Sequence, residues 1–270
     1  MNAAPLRAPR DAGTFSEVFV ADSTEIDLTR YRRIVIMTGA GISVASGLPT
    51  YRGAGGIWEE IDVGRYATAA AIEKNPAEVW EFFATARRKI AAVAPNPGHL
   101  AIADAEGRLA GDRTLTVLTQ NVDGLHTLAG SRRVVEIHGS LRRTRCTRCE
   151  FSRDEDLAHC PLECPPCPEC SAPLRPAVIL FDEMLPVDAE RESKRSLRDC
   201  DLFLAVGTSG TVSPASNFVR AAEYAGARTI YVNLEPMTPR TPAFQEVVLG
   251  RAEEVLPRLF GQTPSLSRSP

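Results

Sequence analysis

The sequence predicts an α/β fold, a doubly wound parallel Rossmann-like sheet that carries a helical insert and a small cysteine-rich insert. Three observations predict it. Four short, β-branched and nearly continuous apolar runs each end in a turn of small or polar residues. Helical patterns lie between those runs, and two segments, 59–98 and 146–170, interrupt the alternation. Strands apolar along their whole length belong to parallel sheets covered on both faces, and their alternation with helices is the signature of a doubly wound sheet.

Residues 1–22 read as an N-terminal extension, and the main domain as residues 23–145 and 171–261. The first strand, 34–38, runs into Gly39-Ala40-Gly41. The insert 59–98 follows, with a helix at 76–90 that Asn75 caps and Pro76 opens. A second helix covers 100–106, and a strand at 114–119 runs into Gln120-Asn121-Val122-Asp123. The run Val134-Val135-Glu136-Ile137 leads to His138, and the cysteine-rich insert occupies 146–170. Beyond it, a strand at 201–206 meets Gly207-Thr208-Ser209, and a helix covers 218–224. A strand at 229–232 meets Asn233-Leu234-Glu235, and a helix at 252–260 ends the domain. The Ser/Pro-rich tail, 262–270, is expected to be disordered.

The 270 residues carry a formal charge of −3, with 44% apolar and 24% charged residues. That balance is globular, and its sign argues against a nucleic-acid surface. The arginines at 142, 143, 145 and 148 read as a solvated face. No apolar run approaches the roughly 18 residues that cross a bilayer, and the N-terminus lacks the apolar core of a secretory signal. The expectation is a cytoplasmic protein without a membrane partner.

In that compartment seven cysteines point to metal, not disulfides. Cys146 and Cys149 form one C-x2-C pair, and Cys167 and Cys170 another, with 17 residues between. Two tight turns can each offer two thiolates to one tetrahedral zinc ion. Cys164, Cys167 and Cys170 are evenly spaced, so Cys164 with Cys167 is an alternative second pair, and His159 and Cys160 are further candidates. Four thiolates leave no open position, which makes the zinc structural. Cys200 reads as an inert buried thiol.

The turns at the strand ends carry the second chemistry. Gly39-Ala40-Gly41 lets backbone approach a pyrophosphate, although Val44 stands where dehydrogenases have a third glycine. The polar loop 43–53 could close over a ligand. Gln120, Asn121 and Asp123 follow a buried strand directly, where packing requires no amides or carboxylates. Ligands of open α/β sheets bind outside the carboxyl ends of the strands, and these groups all lie there.

Gly39-Ala-Gly-Ile-Ser43, Gln120-Asn-Val-Asp-Gly-Leu-His126, His138-Gly-Ser140, the two cysteine pairs, Arg175-Pro176, Gly207-Thr-Ser209 and Asn233-Leu-Glu235 resemble the motifs of sirtuins in order and spacing, over roughly residues 30–260. Gly53-Ala-Gly-Gly-Ile-Trp58, Ala67-Thr68 and Asn75-Pro76 with Val79-Trp80-Glu81-Phe82 are similar to the bacterial and mitochondrial deacylase branch. The resemblance implies NAD-dependent removal of acyl groups, acetyl foremost, from protein lysines by a monomer. NAD would contact Gly39, Ala40, Gly41, Ala45, Thr50, Tyr51, Arg52 and Trp58 on the first turn and its loop. It would also contact Gln120, Asn121, Val122, Asp123, Gly207, Thr208, Ser209, Asn233, Leu234, Glu235 and Ala252. His138 would be the general base, Asn121 would position the ribose and Asp123 the nicotinamide, with a buried Glu235 on the adenosine ribose. Substrate would touch Ala67, Phe83, Val178, Ile179 and Phe181, with peptide backbone pairing along 178–182.

Three departures from the family bear on specificity. Phe83 and Ala86 stand where members that accept dicarboxylic acyl groups have Tyr and Arg, and Arg87 points about 100° away on a helix. Acetyl or longer apolar groups are therefore expected over succinyl. Ala177 replaces a frequent His. Asp182 replaces the usual Gly, which suggests a preference for cationic peptides or a solvent-facing side chain. An NAD glycohydrolase or ADP-ribosyltransferase would use the same site.

Overall fold

The computed structural model describes residues 25–51, 56, 57, 61–210 and 217–262. The expected N-terminal extension and the NAD contacts Arg52 and Trp58 lie outside them, as does the tail from residue 263 onward. Gln262, assigned to that tail, is part of the fold. Its amide nitrogen donates to the Ala101 carbonyl and to Asp104, both at 2.9 Å.

Six parallel strands form the main sheet in the order β3-β2-β1-β7-β8-β9. These are β1 (Arg33–Thr38), β2 (Thr114–Thr119), β3 (Val134–Glu136), β7 (Leu202–Val206), β8 (Arg228–Asn233) and β9 (Glu246–Leu249). Their residues divide between two cores, as the period of two requires. Ile34, Ile36, Leu115, Val117, Leu202 and Leu204 face α4 (Pro97–Arg108) and α8 (Ala252–Leu259). Val35, Met37, Leu118, Phe203 and Tyr231 face α6 (Val187–Arg198) and α7 (Phe218–Tyr224). Each such fully buried aliphatic chain contributes about 1.5–3 kcal/mol. β9 and α6 were not expected. β9 is a four-residue edge strand, and α6 is too polar for a continuous apolar stripe, with Ser193 and Leu197 its only buried residues.

The helical insert holds α1 (Val63–Tyr66), α2 (Ala69–Lys74) and α3 (Pro76–Ala91). The second insert is built on an antiparallel sheet, ordered β5-β4-β6, of β4 (Gly139–Cys146), β5 (Ser152–Asp154) and β6 (Leu174–Val178). This sheet therefore reaches beyond Cys146 and Cys170 on both sides. No helix among the described residues is long and apolar enough to cross a membrane.

Beneath β1 lie two fully buried imidazoles. His99 closes a capping box on α4, accepting from the Asn96 amide at 3.4 Å, and His126, on the short helix α5 (Leu125–Leu128), bonds Thr38 Oγ1 at 2.9 Å. Their ring centroids are 4.8 Å apart. Burial pushes His99 down to about 4, and burial, then the neighbouring His99, lowers His126 well below the ordinary value. An unfolded imidazole titrates near 6.5, so as pH falls the unfolded chain takes up protons that the fold refuses. The resulting stability is fully present above about pH 6.5 and is lost toward pH 4. His99 alone removes about 2 kcal/mol by pH 5. Urea midpoints at pH 7.5 and 5 test this, and coincident midpoints would refute it.

Candidate active site and metal centre

The strand order reverses between β1 and β7, which opens a crevice at their carboxyl ends. The two turns there interlock. The Gly39 amide donates to the Val206 carbonyl (3.0 Å) and the Gly41 amide to the Gly207 carbonyl (2.9 Å). A Cβ on Gly207, whose φ is +59°, would sit 2.4 Å from the Ile42 nitrogen. No other residue fits that position. Ala40 opens a 3-10 helix, Ala40–Ser46, that exposes Ala45 and buries Ser43.

The end of β2 supplies the polar constellation. Asn121 Nδ2 donates to the Gly39 carbonyl (3.1 Å) and to Ser43 Oγ (3.2 Å), and Ser43 Oγ donates to Asp123 Oδ2 (2.8 Å). Asp123 also accepts from the Leu125 amide at 2.9 Å, while its backbone carbonyl accepts from Arg142 Nε at 2.9 Å. Burial raises the Asp123 carboxyl above its usual range, opposed by the Leu125 amide and the Ser43 hydroxyl. Tyr51, in the loop above, is raised by burial and then by the Asp123 charge. Gln120 Nε2 bridges to Thr208 Oγ1 at 2.9 Å, tying the β2 turn to the β7 turn.

His138 joins this group through the backbone. Its Nδ1 lies 3.0 Å from the Gln120 carbonyl, which can only accept, so Nδ1 carries the proton and Nε2 is the basic nitrogen. Burial lowers its pKa, partly offset by that hydrogen bond. The ring is neutral at pH 7 and able to take a proton. Gly139, at φ +78°, follows because a Cβ there would lie 2.1 Å from the Ala177 carbonyl.

Toward the inserts the site turns apolar. Phe83, Val122, Val178 and Leu180 pack in one cluster with Ala71 and Ile72, and Tyr51, Leu48, Phe82 and Ala86 lie against it. Ala67 is buried beside it, whereas Phe181 is half-exposed. Ile179 donates its amide to the His138 carbonyl at 2.9 Å. The structure thus brings together the first three turns, His138 and the substrate residues. On the fourth, Asn233 Nδ2 donates to Thr208 O (3.3 Å) and Tyr231 Oη (2.6 Å), and its Oδ1 accepts from the Leu234 amide (2.9 Å). Leu234 and Glu235 are exposed on the loop after β8, so the expectation of a buried Glu235 carboxylate is corrected. Thr50, whose carbonyl accepts from the Ile57 amide at 2.9 Å, is half-buried, and Ala252 is buried at the start of α8.

Asp182 is exposed, one of the two alternatives the sequence leaves open, and its carboxylate accepts from the Ala69 (2.6 Å) and Ala70 (3.4 Å) amides. The expected solvated face holds for Arg143 and Arg148, which are exposed, with Arg143 pairing with Glu136 (2.7 Å). Arg145 pairs with Glu183 (3.4 Å), and Arg142 departs from that face to hold the Asp123 carbonyl. Ser43 and Arg142 join the site in addition to the residues expected there. Ser43 was visible as a hydroxyl one turn beyond the glycines, whereas Arg142 had no signal apart from its neighbours.

One observation bears on a dinucleotide. Asn121 Oδ1 is a buried acceptor without a hydrogen-bond partner, at the crevice where the β1 and β7 turns meet. An unmatched acceptor there costs stability unless a ligand donor meets it, and a ribose hydroxyl is such a donor. The fold and this donor set suit NAD.

The metal centre settles the cysteine register. The sulfurs of Cys146, Cys149, Cys167 and Cys170 all lie within 4.8 Å of one another, the size of a tetrahedral thiolate shell. The amides of Arg148 and Cys149 donate to Cys146 Sγ at 3.2 and 3.4 Å, as suits a thiolate ligand. Cys164 turns instead to the Leu174 carbonyl (3.2 Å), and His159 is exposed against Asp156. Cys200 is buried on the Leu202 carbonyl, its thiol pushed up to about 12 by burial, which agrees with an inert role. These four cysteines fit zinc, and binding at such sites is worth on the order of 10 kcal/mol. Cys146→Ser should therefore lower both metal content and thermal midpoint. One equivalent of zinc retained in the variant would contradict the assignment.

Comparison with known proteins agrees with this geometry. The Sir2 family matches residues 39–214. An NAD-dependent protein deacylase of Pseudomonas aeruginosa is 44% identical over 237 residues, 85% of this chain and 93% of the relative. One of Pyrobaculum aerophilum is 44% identical over 236 residues, 86% of this chain and 91% of the relative. Among solved structures, a Sir2 homologue bound to NAD superposes with a TM-score of 0.78 at 34% identity, covering 88% of this chain and 94% of the other. Sir2Af2 bound to a myristoylated histone peptide gives 0.67 at 34% identity, covering 87% and 92%.

Proposed function

The chain belongs to the Sir2 family, and from that premise we propose that it removes acyl groups from lysine side chains of proteins, consuming NAD. The observation that carries this reading is the hydrogen-bonded set of Gln120, Asn121, Ser43, Asp123 and His138 at the strand reversal, opening onto an apolar cluster.

Bound NAD supplies an activated nicotinamide–ribose bond and the ribose hydroxyls that receive the acyl group. The chain supplies positioning, charge and a base. Asn121 Oδ1 accepts from a ribose hydroxyl, its amide nitrogen being held by Gly39 and Ser43. Asp123, fixed by Ser43 and Leu125, offers its carboxyl to the nicotinamide amide. His138 Nε2 takes the proton of a ribose hydroxyl, a step that typically contributes 10²–10⁴-fold. The apolar cluster excludes water from the acyl-lysine.

The acyl group follows from the same cluster. Phe83 is buried without a hydroxyl, and Ala86 brings no charge. Arg87 is fully buried facing the other way, its Nε donating to the Leu141 carbonyl at 2.8 Å. A succinyl carboxylate here would be buried unpaired, costing several kcal/mol. Acetyl and other apolar acyl groups are therefore preferred over succinyl. A panel of acyl peptides with NAD tests both statements. Peptide-dependent nicotinamide release with acetyl ahead of succinyl is the expected result. Release independent of peptide would point to a glycohydrolase, and a succinyl preference would overturn the pocket assignment. Thiolate zinc ligands, which oxidation would consume, suit a cytoplasmic enzyme.

A further inference from the structure

We infer that Asp182 is a positioning residue that sets acyl selectivity, by pinning the segment 178–182 to the helical insert and so holding the acyl-lysine channel narrow. The inference rests on the deacylase reading above.

The segment leaves β6 with Val178 and Leu180 packed against Phe83 and Val122. It is held from both sides. Glu183 draws it toward the zinc-binding sheet, accepting from Arg175 (2.5 and 2.9 Å), Arg145 (3.4 Å) and the Leu180 amide (2.9 Å). The next residue back draws it the opposite way. Asp182 accepts from the Ala69 and Ala70 amides, 113 and 112 residues distant in the chain, and the Phe181 amide donates to the Ala67 carbonyl at 3.0 Å. Thr68 Oγ1 takes the Ala71 amide at 3.1 Å, so the Asp182 carboxylate completes the cap of α2. The Ala69 amide, its largest influence, keeps the Asp182 carboxyl below the usual range and ionised.

Ala67 and Phe181 are substrate residues on facing walls, one on the insert and one on the segment. Parting those walls for a bulky acyl chain breaks the Ala67–Phe181 bond and the two Asp182 bonds together. A glycine at 182 would remove two of the three. A narrow, fastened channel suits a short acyl group and penalises a long one.

The test compares wild type, Asp182→Gly and Asp182→Asn on two peptides of one sequence, acetylated and myristoylated, at saturating NAD. Loss of a cap changes an equilibrium about fivefold. The expected result is an acetyl-peptide KM raised about fivefold with kcat unchanged, and a myristoyl-to-acetyl ratio of kcat/KM raised by a similar factor. Asp182→Asn, which keeps one acceptor oxygen, should fall between. Because the ratio is taken on one preparation, partial unfolding cancels from it. A ratio unchanged within twofold in both variants, with wild type active, would overturn the inference alone. A wild type active on neither peptide would overturn the deacylase reading, and this inference with it.

Discussion

His138→Tyr is expected to abolish deacylation, lowering the single-turnover rate by at least about 10²–10⁴-fold, while NAD binding persists. The magnitude follows from what the imidazole alone can do. Its Nδ1 proton is committed to the Gln120 carbonyl, which leaves Nε2 as an unprotonated base at neutral pH. A phenol in its place is protonated at pH 7 and donates where acceptance is needed. The adjoining backbone is held separately, by the Ile179 amide on the His138 carbonyl and by Gly139 against Ala177, so substitution should leave the turn in place. Burial lowers the His138 pKa, so wild-type activity should survive to pH values below 6.5 before protonation silences the base. Rapid-quench assays with acetyl-lysine peptide, paired with calorimetric NAD titration, measure both halves. Wild-type rates in the variant would remove His138 from the mechanism.

Arg87→Ala should destabilise the fold by about 3–5 kcal/mol, the range seen when one partner of a buried charge network is removed. Arg87 is fully buried on α3 and joins the two inserts. Its guanidinium donates to the Leu141 carbonyl, the Arg143 carbonyl and Thr144 Oγ1, each at 2.8 Å, with Cys160 Sγ at 3.6 Å and Glu155 at 3.9 Å. Its Cζ lies 5.0 Å from the centroid of the Trp80 ring, and Trp80 Nε1 in turn donates to the Pro161 carbonyl at 2.9 Å. Truncation takes a buried charged donor from the Leu141 and Arg143 carbonyls and leaves Glu155 with only Thr144 and Arg153 beside it. Lysine should not rescue it, because one ammonium cannot serve a fork of divergent acceptors. Urea unfolding followed by tryptophan fluorescence reads the loss. A shift under 1 kcal/mol would show the network to be dispensable.

Much of this molecule was legible in its residues. The strands at 34–38 and 114–119 are visible because a strand covered on both faces must be uncharged and rich in apolar and β-branched residues along its length. The helix at 76–91 is visible in Asn75-Pro76 and in the spacing of Val79, Phe83 and Ile90. The metal ligands are visible because two chelating turns require a short, fixed spacing. Asn121, Asp123 and His138 stand out because a buried strand end gains nothing from them unless a ligand is met there.

Other features were not. The choice between Cys164 and Cys170 depended on which sulfurs the β4–β6 pairing brings within reach, a matter of register that even spacing leaves open. Asp182 and Arg142 read locally as surface charges. Asp182 is exposed, yet both are engaged by backbone groups of other segments, Ala69 and Ala70 for one and Asp123 for the other. β9 is too short and too weakly patterned to be seen before a neighbouring strand supplies its hydrogen bonds.

Local chemistry, then, determined by itself which elements form and which groups can bind metal or nucleotide, because periodicity, capping and ligand spacing act within a few residues. Tertiary structure alone decided how those groups are partnered. Cys164, Arg142 and Asp182 find their hydrogen bonds 10, 19 and 113 residues away in the chain, and only the packing of sheet against inserts determines which partner is near.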